Sequence, residues 1–201
     1  MARVIRYYAH PGHRHSKVNA LIDRAANQVT GVTHVDLYAQ YPRFNIAIDT
    51  EQDRLRDHDV IVLQFPVFWY SCPALVKEWI DLVFEHGFAY GAGGDALKGK
   101  TLMLALTTGG GQDAYSPQGY QHYDLRTFLT PFERTAGLSQ MQFCAPYTFF
   151  GAINADAPQI EAHIDGFCQL LGALRDDQFD LTRAAQTDII TADTLPLLSE
   201  A

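Results

Sequence analysis

The sequence predicts a doubly wound α/β domain, a five-stranded parallel sheet of order 2-1-3-4-5 with helices on both faces. Three observations lead there. Short, nearly continuous apolar runs at 4–8, 60–65 and 102–106 have the pattern of strands buried on both faces. Segments between them carry apolar residues at i, i+3, i+4 and i+7, the stripe of a helix packed on a sheet. The two patterns alternate, which implies parallel strands joined by right-handed crossovers, and five such strands favour that order.

The first strand, 4–8, is interrupted only by Arg6, a residue that a central strand would ordinarily exclude. A polar loop at 9–17 holds His10, His13, Arg14, His15 and Ser16. The next helix runs to about residue 30 on Val18, Leu21, Ile22, Ala25 and Val29, with Gly31 as its C-terminal cap. A strand at 32–37, a loop at 38–50 and a short polar helix at 51–57 lead to the central strand. Pro66 ends that strand, and an aromatic loop of Phe68, Trp69 and Tyr70 follows. Pro73 suits the first turn of a helix, where its missing N–H costs nothing. Leu75, Val76, Trp79, Ile80 and Val83 share one face of that helix. Five glycines between 87 and 100 mark a surface excursion. The fourth strand runs into Thr107-Thr108-Gly109-Gly110-Gly111, and a long loop precedes a helix bearing Leu125, Phe128, Leu129 and Phe132. The fifth strand falls at 142–147, and a last amphipathic helix carries Ile160, Ile164, Phe167, Leu171 and Leu174. The expectation is one domain over 1–201, with its core at about 3–175 and a polar tail at 176–201.

A chain of 201 residues suffices for one well-filled α/β domain. Its 47% hydrophobic and 19% charged residues are a folded, soluble composition. The net charge of −8 argues against a nucleic-acid partner. No apolar run approaches the ~20 residues of a membrane span. Met1-Ala2-Arg3 leads straight into a strand and leaves no room for a signal peptide. Cys72, Cys144 and Cys168 are too widely spaced for a metal site and fit reduced thiols in a cytoplasmic protein.

In the predicted order, the loops after strands one, three and four open at one sheet edge, where ligands bind in such folds. The first loop ends at a helix N-terminus, whose free N–H groups and dipole favour an anion. Ser16 adds a hydroxyl there, and His10, Arg14 and Lys17 add donors; a plain solvated basic loop fits the same residues. The aromatic loop either walls a flat conjugated ligand or plugs the end of the sheet. The glycine run either lets backbone approach a ligand or makes a tight turn, though three consecutive glycines are costly to order. An anion site, an aromatic wall and a glycine floor together describe a flavin mononucleotide (FMN) pocket.

At this point the sequence resembles the flavodoxin-like NAD(P)H:quinone oxidoreductases, most closely the ancillary flavoproteins of glutathione-regulated potassium efflux systems. The matching segments are Tyr8-Ala9-His10-Pro11, 16–19, Leu37-Tyr38, Tyr41-Pro42 and Phe44-Asn45-Ile46. They continue through 64–73, Trp79-Ile80-Asp81, Phe84, 86–91 and 107–111, so the likeness covers 8 to about 147. The resemblance implies flavin contacts at His10, at Ser16, Lys17, Val18 and Asn19, at Val67, Phe68, Trp69 and Tyr70, and at Thr107, Thr108, Gly109 and Gly110. It also implies a catalytic role for Tyr115, which matches a tyrosine that hydrogen-bonds the flavin ring. In the mammalian quinone reductases a histidine follows that tyrosine by six positions; here Gln121 stands there and His122 comes next. His122 is therefore the candidate second member of a proton relay with altered spacing.

The implied activity is two-electron hydride transfer from NAD(P)H through flavin N5 to a quinone, by a ping-pong mechanism. The cofactor is FMN rather than FAD, because the chain has no evident extension for an adenine half. Family members are homodimers, so Phe88 and Tyr90 are expected to reach a partner's pocket. The alternative is a flavin-binding regulatory subunit of a potassium efflux transporter, held at the inner face of the membrane, with secondary reductase activity. A flavodoxin-type electron carrier fits less well, since these loops are aromatic and hydroxyl-bearing rather than acidic. Cys72 beside the aromatic loop is either redox-sensitive or a small helix-start residue.

Overall fold

The computed structural model describes residues 1–12 and 16–198; His13, Arg14 and His15 lie outside the described residues. The strands are β1 (Val4–Tyr8), β2 (Val32–Asp36), β3 (Val60–Pro66), β4 (Thr101–Thr107), β5 (Gln142–Phe143) and β6 (Tyr147–Phe149). All pair in parallel, in the order β2-β1-β3-β4-β5, and β6 pairs with the C-terminal half of β4. The expected order 2-1-3-4-5 is thus observed, with the fifth position shared by two short strands. The interruption lies at 144–146, where Pro146 supplies no N–H to a ladder.

The helices are α1 (Val18–Ala26), α2 (Leu37–Gln40), α3 (Ile48–Asp57), α4 (Ala74–Val83), α5 (Leu125–Phe128), α6 (Thr130–Leu138), α7 (Ala157–Arg175) and α8 (Leu181–Ala185). Residues of α1 and α7 pack in one core with Val62, Met103 and Ala105. Leu55, Leu75, Trp79 and Phe132, from α3, α4 and α6, pack in the other with Ile61, Leu63 and Leu104.

Several boundaries differ from expectation for local reasons. α1 stops at Ala26, and Gly31 (φ +75°) turns the chain into β2, where a Cβ would meet the Arg175 side chain at 2.8 Å. The stretch 38–50 is not all loop, because the Asp36 carboxylate accepts from the Ala39 N–H and starts α2. β3 runs through Pro66 because the Val67 N–H donates to Thr107 O, so the proline nitrogen faces the side where β1 has already ended. The helix expected across 125–132 is two, since Pro131 cannot donate to Thr127 O; the Thr130 hydroxyl does so instead, at 2.8 Å. The glycine-rich excursion is anchored: Phe88, Ala89 and Leu97 are buried. Phe88 lies under the Arg56 guanidinium, 4.9 Å from its ring centroid, and so is part of its own core rather than of a partner's pocket. The tail is also packed. Phe179, Ala184 and Ile190 are buried, and Ile190 bridges to Tyr147 beside β6.

Arg6 is 1% exposed. Its guanidinium donates to Gln64 Oε1 (2.6 Å), Asp23 Oδ1 (2.8 Å), Asn27 Oδ1 (3.0 Å) and His34 Nδ1 (3.0 Å). His34 therefore carries its proton on Nε2, which donates to Val29 O. Burial is tolerable here because every arm of the fork meets an acceptor. Arg6→Met strands Asp23 and Gln64 and should cost about 3 kcal/mol in urea unfolding, whereas Arg6→Met with Asp23→Leu should recover part of that loss. Equal stability of the single and double variants would contradict this reading.

His163 of α7 is buried and stacks on Tyr147, with centroids 4.6 Å apart. Burial pushes its pKa down to about 3. The unfolded chain, with an ordinary histidine, takes up that proton first. Its contribution is thus complete above pH ~6.5 and is lost as the pH falls from there toward 3, on the order of a few kcal/mol. His163→Phe keeps the stacking. Its urea midpoint should therefore fall less than that of the unaltered protein between about pH 7 and about pH 5.

Candidate cofactor site

The loops after β1, β3 and β4 open together at the carboxyl edge of the sheet and enclose a cavity of about 470 Å³. It is lined by His10, Ser16, Lys17, Val18 and Asn19 from the first loop and α1, by Val67 and Phe68 after β3, and by Thr107, Thr108 and Gly109 after β4. Pro66, Ala152 and Ile153 complete the wall. That volume lies within the about 300–1,000 Å³ typical of small-ligand sites.

Lys17, at the N-cap of α1, makes no side-chain cap hydrogen bond, and the Ser16 hydroxyl accepts from the Ala20 N–H at 3.3 Å. The amides of its first turn have no partner within the helix and sit beside Ser16 and Lys17 at the cavity wall. One turn on, Asn19 is 5% exposed. Its Nδ2 donates to Thr107 Oγ1 (2.9 Å), while its Oδ1 is buried without a partner. His10 Nδ1 accepts from the Gly12 N–H, and the His10 ring meets Phe68 edge-on at 5.9 Å.

The glycine run does not turn through the left-handed region; its glycines have no positive φ. What it permits is close approach. A Cβ on Gly109 would sit 2.9 Å from Ile153 Cδ1. The loop is held by the strap beyond β6, with Thr108 N donating to Phe149 O, Gly151 N to Gly110 O and Ala152 N to Thr108 O.

Trp69 and Tyr70 do not line the cavity but stand beside it. Phe68 and Ser71 exchange backbone hydrogen bonds of 3.1 and 3.0 Å around them, and φ is +47° at Trp69 and +65° at Tyr70. Trp69 is 92% exposed. Tyr70 packs on Phe128 at 5.0 Å, and Tyr115 meets Phe128 and Phe150. Gly110, also outside the lining, lies against the Tyr115 ring. Burial raises the Tyr115 pKa, opposed by the neighbouring Thr108 hydroxyl, so the phenol keeps its proton at neutral pH. His122 is exposed on the far end of that loop, with φ +60°, and does not line the cavity. Burial likewise raises the Cys72 thiol above its ordinary pKa, which makes it a poor nucleophile. Ala152 and Ile153 were missed in the sequence because 152–153 follows β6, and the split of the fifth strand hid where that strand ends. Phe128 reads in the sequence as helix core.

Known proteins show the same architecture. A family described as "Flavodoxin-like fold" matches residues 2–171. The glutathione-regulated potassium-efflux system ancillary protein KefG of Cronobacter sakazakii is 45% identical over 162 residues, covering 81% of this chain and 88% of that protein. The KefG of Escherichia coli is 42% identical over 162 residues, with the same coverage. Among solved structures, general stress protein 14 of Treponema denticola, in complex with FMN, superposes with a TM-score of 0.78 at 33% identity, covering 87% of this chain and 98% of that one. An NADPH-quinone reductase from P. pentosaceus superposes with a TM-score of 0.73 at 26% identity, covering 87% and 96%. No helix among the described residues is long and apolar enough to cross a membrane. Strand order, the convergent loops and these likenesses agree: the chain belongs to the flavodoxin-like family.

Proposed function

We propose that the chain binds FMN and acts as an NAD(P)H:quinone oxidoreductase. The observation that carries this reading is the 470 Å³ cavity, where an uncapped helix start, a buried amide with an unpartnered oxygen and a glycine floor meet. These groups fit the cofactor's parts. A phosphate suits the first-turn amides of α1 with Ser16 and Lys17. Asn19 Oδ1, buried without a partner, would accept a hydrogen bond from a cofactor hydroxyl, which would remove the cost of its unpaired burial. The backbone at Gly109 would come close to a ring edge and Phe68 would wall it, with Trp69 and Tyr70 standing beside the cavity. When bound, FMN supplies the two-electron hydride transfer between NAD(P)H and quinone.

The chain's own part is positioning and charge. Tyr115, protonated at neutral pH, would donate a hydrogen bond to the bound flavin ring and so stabilise negative charge on it. The aromatic wall limits water. The exposed aromatic side chains of Trp69, Tyr120 and Tyr123 support a homodimer. A second reading, a flavin-binding regulatory subunit docked on a potassium efflux transporter at the cytoplasmic face of the membrane, draws on the names of the 42–45% identical relatives.

The purified protein should release FMN on denaturation, identified by mass spectrometry; FAD, or no flavin after reconstitution, would contradict the assignment. Asn19→Leu should weaken FMN by about fivefold or more, the equivalent of one hydrogen bond of ~1 kcal/mol. Tyr115→Phe should retain FMN yet slow its bleaching by NAD(P)H about tenfold, ~1.4 kcal/mol, in stopped-flow absorbance. His122→Ala should be nearly silent in the same assay, because that side chain is exposed outside the cavity. An unaltered rate in Tyr115→Phe would reduce the tyrosine to a wall.

A further inference from the structure

A second cavity, of about 350 Å³, lies on the other side of the 149–152 strap. Phe149 and Phe150, whose side chains pack into the cores on opposite faces of the sheet, both line it, and Gln159 and His163 enter from α7. Its outer wall is residues 191–193, from the 3₁₀ turn Ala192–Thr194 of the tail. That turn seats on α7 because residue 166 is glycine; a Cβ there would meet Tyr147 Oη at 2.6 Å and Ala192 Cβ at 3.0 Å. Residues 191–193 fall beyond the 2–171 matched by the family.

The lining has a definite chemistry. Thr148 is 2% exposed, and its hydroxyl is buried without a partner. Gln159 commits its Oε1 to the Asp156 N–H (3.0 Å), which leaves its amide hydrogens for a ligand. Gln112 adds a second amide, and Asp193 adds an exposed carboxylate. No lysine or arginine lines the cavity, so an anionic group has no counter-charge there. His163 stays neutral, offering one donor and one acceptor. Aromatic residues with alternating donors and acceptors and one carboxylate suit a flat, uncharged ring bearing an exocyclic amine.

We propose that this cavity binds the adenosine group, with the purine between the strap and the tail turn, its amine on Asp193 and a ring nitrogen or ribose hydroxyl on Thr148. Two sources carry that chemistry: the adenosine end of NAD(P)H, or a free adenine nucleoside acting as an effector. Either would be felt at the first cavity, since Phe149 and 150–152 also brace the glycine floor.

Isothermal titration of the purified protein with adenosine tests this without turnover. Saturable binding is expected, weakened at least tenfold by Thr148→Val, which keeps the shape of the strand residue, and by Asp193→Ala on the exposed turn. Inosine, which lacks the amine, should bind at least tenfold more weakly than adenosine. Adenosine competing with NADH for binding assigns the site to the dinucleotide; simultaneous binding of both assigns it to a free nucleoside. Absence of saturable heat with adenosine at about millimolar concentration, or equal binding by both variants or of inosine, overturns the proposal.

Discussion

Two adjacent threonines hold the site together. Thr107 Oγ1 accepts from Asn19, 88 residues away in sequence, and Thr107 O accepts from the Val67 N–H. Thr108 N donates to Phe149 O, Thr108 O accepts from Ala152 N, and the Thr108 hydroxyl donates to Gly110 O (2.8 Å). The start of α1, the loops after β3 and β4 and the strap after β6 are all tied to these two residues. Both are buried, so each bond is made where water does not compete and would be costly to leave unmade. The cavity is thus set by the end of β4, the strand that β3, β5 and β6 all pair with.

Against that rigid floor the aromatic turn is strained. A two-residue turn with positive φ at both positions ordinarily takes Asn-Gly or Gly-Gly. Trp69 and Tyr70 occupy it instead, at roughly 1–2 kcal/mol each for a residue with a Cβ. Nothing in the core requires this, since Trp69 is almost wholly exposed. Strain of this kind is retained where a side chain must be presented, and the turn holds Trp69 out to solvent beside the cavity.

The sheet was legible in the sequence because a strand buried on both faces leaves an uninterrupted apolar run, as at 60–65 and 102–106. The convergence of three loops followed from strand order alone, and Asn19, Phe68 and Gly109 do line one cavity. Arg6 was illegible because its acceptors come from α1, β2 and β3, which meet only in the folded chain. Buried Glu51 is the same case on the other face, accepting from Tyr41, Arg54 and Trp79. The packed tail was not legible because Phe179, Ala184 and Ile190 are spaced without a helical or strand period, though all three join the core beside α1 and α7. Ala152 and Ile153 depend on a split strand whose break is only three residues long.

The central claim is a two-electron reductase built on this cavity, as distinct from a flavin-bearing subunit or an electron carrier. Anaerobic titration of the flavin-loaded protein with NADH and with NADPH, followed by a quinone, measures it most directly. One equivalent of at least one nucleotide should bleach the flavin completely, and one equivalent of quinone should restore it. A flavin that neither nucleotide bleaches, or that bleaches but is not restored by quinone, would contradict the account.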